Sequence, residues 1–382
     1  MSATGADVVV IGAGMVGAAC AYYAARAGLA VTVVDRAGVA GGTTGAGEGN
    51  ILLSDKPPGP ELALARHSGR LWHELGDALG GERIELERKG GLVVAASAAE
   101  HAALRAFAAG QRAAGVEVVP VPAEALPEHE PHLARDLAGG AYYPQDMQVQ
   151  PMLAAAHLLR AAGVPVLTGT TVTGLRRDAA GAIRGVVTDR GALPTPAVVN
   201  AAGVWAAGIA GLAGVGLPVL PRRGFVLVTE ALPPLIRHKV YAAGYVAGVG
   251  RSSEGLEVSP VVEGTRAGTL LIGSTRERVG FDRTVPLSAL RQLAAGAVRL
   301  FPVLASVSVI RAYRGFRPYS PDHLPMIGAD PRVPGLFHAC GHEGAGIGLA
   351  PATGHAVAAL LTGRAPQVDL RPFAPERHDV HI

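Results

Sequence analysis

The sequence predicts an α/β protein, α+β overall, in which a Rossmann-like domain carries an inserted antiparallel-sheet domain. Three observations lead there. An apolar run, Val8 to Ile11, enters Gly12-x-Gly14-x-x-Gly17, continues into a helix-patterned segment, and reaches a second apolar run, Val31 to Val34, ending at Asp35. A strand-then-glycine pattern returns late in the chain, at Leu336 to Ala339 and Gly341 to Gly348. Between them, from Arg222 to Leu304, strand-like runs are separated by long turns, the texture of an antiparallel sheet.

Each residue of the first motif has a physical task. Gly12 permits the tight turn, Gly14 lets the backbone approach a pyrophosphate, and Gly17 lets the helix pack closely on the strand. The helix N-terminus offers free N–H groups and a positive dipole end to phosphates. Asp35 stands where a carboxylate accepts hydrogen bonds from adenosine ribose hydroxyls. Strand, glycines, helix, strand and acid in this order announce a dinucleotide.

Composition bounds the class. The chain has 382 residues, 49% of them hydrophobic, enough for a large core and two domains. The 52 glycines are scattered among apolar runs, which fits a turn-rich fold rather than disorder. A net charge of +3 and no basic block with interleaved aromatics argue against nucleic-acid binding. Cys20 and Cys340 are the only cysteines, which argues against a disulfide framework, a zinc site or an iron–sulfur cluster held by this chain; no residue is assigned to a metal. No uninterrupted apolar stretch of about 18 residues suggests a membrane span. The first strand begins almost at once, without a basic leader, so a soluble cytoplasmic protein is expected.

Along the chain, the segment 41–50, with five glycines, two threonines and Asn50, reads as a polar loop able to solvate a pyrophosphate. Helical spacing predicts helices over 60–79, 98–114, 151–162, 288–300 and 349–361. Strands are expected at 92–96, 116–121, 164–167, 171–173, 182–188, 197–200, 225–229, 257–262 and 269–272. PVPAEALPEHEPH, ending at His132, reads as a solvated connector. These elements divide into a discontinuous nucleotide domain (1–85, 145–217 and 305–382) and a sheet domain that would form the substrate pocket (86–144 and 218–304).

Together these pieces resemble the D-amino-acid oxidase-like family of FAD-dependent oxidoreductases over nearly the whole chain. The residues carrying the resemblance are Gly12 to Asp35, the Thr43-Thr44 to Asn50 loop, VVNAAGVWA at 198–206, GFRPYSPDHLPMIG at 315–328 and GHEGAGIGLAPATG at 341–354. It implies that FAD contacts Gly12, Gly14, Met15, Gly17, Asp35, Arg36, Thr43, Thr44, Gly49, Asn50, Ile51, Val172, Ala201, Gly203, Trp205, Gly344, Gly346, Ile347 and Gly348. A core-strand role for Val172 is an equal alternative. Gly315 stands roughly where some sarcosine oxidases tether flavin through cysteine, so the resemblance implies noncovalent FAD. It also implies that Arg317, in a G-x-R-P turn, clamps a substrate carboxylate; a structural arginine held against Asp322 is the alternative. Tyr241 and Tyr245 are candidate substrate contacts from the inserted sheet. His342 and Glu343 are candidates for an acid/base pair, with a structural role as the alternative.

The last loop and the run EGNILLSDKPPGPELALARHSGRLW (48–72) resemble the catalytic chains of hetero-oligomeric enzymes, namely D-hydroxyproline dehydrogenase, opine oxidase and hydrogen cyanide synthase. That branch implies a second flavoprotein or iron–sulfur subunit as electron acceptor. The expected activity is oxidation of the C–N bond of a small amino or imino acid by hydride transfer to flavin. A self-contained glycine or D-amino-acid oxidase releasing hydrogen peroxide, and a non-catalytic FAD-fold scaffold subunit, are the alternatives.

Overall fold

The computed structural model describes residues 5–244 and 253–378. At its centre, Val8–Ile11 lies between Val31–Val34 and Val198–Asn200, with all three strands parallel. Val166–Leu167 extends one edge, and Leu336–Cys340 followed by antiparallel Met326–Ala329 extends the other. A parallel sheet is covered on both faces, so its strands read as unbroken apolar runs. Val8, Val9 and Val10 are fully buried.

Helices Met15–Arg26, Pro60–Leu79, Pro151–Ala162 and Gly346–Leu361 form one layer of the core. Met15–Arg26 and Gly346–Leu361 approach so closely that a methyl group on Gly354 would lie 2.8 Å from the Cys20 nitrogen. Only small residues allow that spacing, which explains the run Ala18-Ala19-Cys20. Cys20 is a packing residue there, its thiol pushed up to about 12 by burial. The opposite face is covered by a three-stranded antiparallel sheet, Val172–Arg177, Ile183–Thr188 and Gly191–Pro194, and by the helix Ala206–Gly211.

A second sheet of eight strands has the order Val309–Tyr319, Leu220–Thr229, Leu270–Arg276, Glu257–Gly264, Lys239–Ala242, Gly91–Ala95, Gly139–Tyr143 and Val119–Pro122. Pairing is antiparallel except where Lys239–Ala242 runs parallel to Gly91–Ala95. Helix Leu287–Leu300 packs Leu293, Ala297 and Leu300 against this sheet, beside Val262 and Ile272.

Several expectations change. Val309–Tyr319 is an eleven-residue strand, so Arg317 lies on a strand rather than in a turn. It pairs with Leu220–Thr229 from Leu220 opposite Tyr319 to Thr229 opposite Val309, which places it in the eight-stranded sheet. Its arginines and Pro318 hide a strand pattern, yet they suit an edge strand with one side unpaired. Gly139–Tyr143 was hidden by its two glycines; at Gly140 a methyl group would lie 2.6 Å from the Val93 carbonyl oxygen. The proline-rich connector is partly ordered into Val119–Pro122 and Leu126–His129. The fully buried Glu130 anchors it, accepting hydrogen bonds from the backbone nitrogens of Arg237 (2.9 Å) and His238 (2.6 Å). The last helix starts at Gly346, three residues before the apolar run that signalled it.

Candidate functional site

A cavity of about 830 Å³ follows the ends of the central parallel strands and continues to the wall made by Leu220–Thr229 and Val309–Tyr319. Asp35, Arg36, Thr170 and Val172 line one part, and Gly12, Gly14, Met15, Thr43, Thr44, Ala201, Gly203 and Trp205 another. Glu48, Asn50, Arg317, His342, Glu343, Gly344, Gly346 and Ile347 line the rest. Residues from both ends of the chain thus meet in one space.

The first turn is built as the motif requires. Gly12 has φ +115°, donates its N–H to the Val34 carbonyl (2.8 Å), and faces Ala201 so closely that any side chain would overlap it. Asp35 accepts from the Ala13 and Ala37 nitrogens (2.8 and 2.7 Å), which fixes its carboxylate at the end of the second strand. Its oxygens keep further lone pairs for ribose hydroxyls. The Thr44 hydroxyl accepts from the Met15 nitrogen (2.9 Å) at the start of the first helix, and the Thr43 hydroxyl donates to the Phe316 carbonyl (2.7 Å), tying the loop to the second sheet. The Arg36 guanidinium lies 3.9 Å from the Trp205 ring centroid, and Trp205 stacks on Phe281 at 6.0 Å.

Gly17 stands outside the cavity and gives up its side chain to the Gly12 carbonyl, the close packing expected of it. Gly49, Ile51 and Gly348 stand just behind the wall. Gly49 has φ +94° and packs on Val149; Ile51 pairs with Met147; the Gly348 carbonyl accepts from Ser68 Oγ (2.6 Å) and Trp72 Nε1 (3.1 Å).

Arg317 reaches the cavity between Gly224 and Gly344, donating from Nη1 to the Thr275 carbonyl (2.8 Å). The proposed partner Asp322 is engaged elsewhere, by Arg377 (2.7 Å) and His378 (3.1 Å). Tyr241 is fully buried outside the cavity, hydrogen-bonded to Ser54, which also bonds Asp146. Burial raises its hydroxyl well above the usual tyrosine range. Burial likewise pushes the Asp146 carboxyl up to about 7. Tyr245 lies outside the described residues.

His342 and Glu343 are neighbours in sequence but do not pair. The His342 ring is buried, shares a 3.0 Å hydrogen bond with the Thr353 hydroxyl, and is pulled by burial from 6.5 down to about 3. Glu343 turns the other way, with φ +48°, to His323 Nδ1 (2.9 Å) and Arg222 (3.6 Å). A neutral imidazole is a poor proton carrier near pH 7. His342→Asn is therefore expected to leave both limbs of the pH profile of flavin reduction in place in stopped-flow traces. The variant should alter acid stability instead. The unfolded imidazole takes up its proton below pH 6.5 and the folded one only near 3, so the wild type loses stability as pH falls through that window, by roughly 5 kcal/mol at full extent. Urea melts at several pH values should show that slope reduced in the variant.

Glu48 and Phe281 are among the lining residues missed from sequence. Glu48 is an acid between two glycines, read as part of a flexible loop. Phe281 is a half-exposed aromatic in a turn, and its exposure was the missing signal. The cavity suits FAD on its own chemistry. It has an acid held at the adenosine end, helix N–H groups beside a threonine, and glycines at positions 12, 42, 47 and 315 where a methyl group would crowd the wall. Those N–H groups, with the positive helix end, favour phosphate oxygens.

The comparisons agree with this geometry. A family model described as FAD dependent oxidoreductase (DAO) matches residues 7–360. Glycine oxidase of Geobacillus kaustophilus is 32% identical over 97% of each chain, and hydrogen cyanide synthase subunit HcnC of Pseudomonas aeruginosa is 31% identical over 97% of this chain and 96% of that one. The crystal structure of glycine oxidase from Geobacillus kaustophilus superposes with a TM-score of 0.88 at 30% identity, covering 98% of this chain and 99% of that one. L-proline dehydrogenase from P. horikoshii shares the fold, with a TM-score of 0.88 at 24% identity over 98% and 97% of the two chains. With a glycine-built dinucleotide cradle, a cavity joining it to an arginine-bearing sheet, and full-length similarity to these proteins, the chain belongs to the DAO family of FAD-dependent oxidoreductases.

Proposed function

We propose that this chain oxidises the C–N bond of a small amino or imino acid, proline-like, opine-derived or glycine-like, whose carboxylate rests on Arg317. One observation carries the reading: the Arg317 guanidinium lines the same cavity as the nucleotide cradle, beside Gly344 and apart from Asp35. A planar guanidinium fork matches two carboxylate oxygens, so it holds the substrate in one orientation. FAD bound in the cradle supplies the hydride acceptor. The chain's own residues position the substrate and exclude water, and the wall of Gly224, Val226 and Phe316 provides the dry face. The first turn of Gly346–Leu361 brings a positive helix end to the cavity, which favours negative charge beside it.

Noncovalent FAD is part of this reading. Gly315 lines the cavity without a nucleophile, and burial pushes the Cys340 thiol up to about 12, far from a reactive thiolate. A second subunit as electron acceptor is also part of it, supported by the full-length similarity to subunit HcnC. With two cysteines here, a partner cluster would be held by the other chain. The test is acceptor choice. The purified chain, given an amino-acid substrate, is expected to reduce an artificial dye much faster than it consumes oxygen. Oxygen uptake at the dye rate, with hydrogen peroxide released, would favour a self-contained oxidase.

A further inference from the structure

Glu48 has no assigned task, and its surroundings are unusual for a carboxylate. It is 8% exposed, lines the cavity, and its Oε1 has no hydrogen-bond partner among the described residues. Buried charged oxygens are nearly always paired, because an unpaired one forgoes its hydration without compensation. The nearby cation Lys239 is engaged by Asn50 and by Glu263 (2.8 Å). Burial pushes the Glu263 carboxyl above its usual range, with the Glu48 charge among the causes. The carboxylate of Glu48 lies directly over Gly273, where any side chain would overlap it. Gly273 and Thr275, the residue whose carbonyl holds Arg317, are two positions apart on Leu270–Arg276. One strand therefore supports an anion and a cation that both line one cavity.

We propose that Glu48 accepts the hydrogen bond of the substrate's amino group while Arg317 holds its carboxylate. This deepens the function proposed above and rests on its carboxylate clamp. It narrows the substrate class to amino or imino acids that carry at least one N–H, and it makes Glu48 a specificity residue for nitrogen over oxygen at that position.

The test uses the FAD-loaded enzyme and two ligands that cannot be oxidised as amines at a saturated carbon. Pyrrole-2-carboxylate and furan-2-carboxylate share a carboxylate and a ring shape, and differ by N–H against oxygen. Equilibrium binding is followed by the shift in flavin absorbance, without turnover. The wild type is expected to prefer the pyrrole by about tenfold or more, the worth of one hydrogen bond to a charged acceptor. Glu48→Leu should erase the preference with furan affinity kept, and Glu48→Gln should fall between. Equal binding of both rings by the wild type, or an undiminished preference in both variants, overturns the assignment. Loss of FAD from both variants also overturns it, since Glu48 would then serve the cofactor. Failure of the clamp looks different: neither ring binds the wild type, or Arg317→Ala leaves both affinities unchanged.

Discussion

Replacing Arg317 with alanine is expected to raise KM for the amino-acid substrate by on the order of a hundredfold, with FAD content unchanged. The magnitude follows from losing two charge-assisted hydrogen bonds, each worth roughly 1.5–3 kcal/mol and not fully additive. The position explains why folding should survive. The strand that carries Arg317 is held along its length by Leu220–Thr229, independently of the side chain. Arg317→Lys keeps the charge but loses the fork, so it should fall between the two. Steady-state kinetics with the flavin spectrum recorded on each preparation separate lost binding from lost cofactor. An unchanged KM in Arg317→Ala would remove the carboxylate clamp.

Gly12→Ala should cost the cofactor itself. The added methyl group meets the Ala201 backbone, and φ +115° is costly for any residue but glycine. Ala201 follows Val198–Asn200, the strand paired with Val8–Ile11, so the clash would push apart the two strands that carry the cradle. A loss of about 2–4 kcal/mol of stability and a largely colourless protein are expected, read by thermal melting and the ratio of flavin to protein absorbance. A variant that purifies yellow with an unchanged melting temperature would show that this turn tolerates a side chain.

How much of this was legible in the sequence depended on how local each signal was. Gly12 to Asp35 could be read because the turn, the helix start and the acid lie within one short segment and each residue type has a physical reason. Pro60–Leu79 was equally readable, with proline at its first position and Leu64, Leu71, Leu75 and Leu79 turned to the core. Val309–Tyr319 was not, because an edge strand can carry arginines and proline that break any alternation. Glu48 was illegible for a different reason. Its burial is decided by Gly273, which lies over two hundred residues later and belongs to the eight-stranded sheet. His342 looked titratable near neutral pH and is not, since burial in the interior around Thr353 pulls its proton uptake down to about 3. Residue identity announces chemistry, but desolvation and partners set it.

The most direct test of the account is anaerobic mixing of the purified flavoprotein with a panel of D- and L-amino acids, imino acids and opines, following the flavin band near its visible maximum. Bleaching by at least one compound that carries both a carboxylate and an N–H, and by none lacking either group, is the expected result. A protein that purifies without flavin, or whose flavin is bleached only by compounds lacking a carboxylate or an amine, would contradict it.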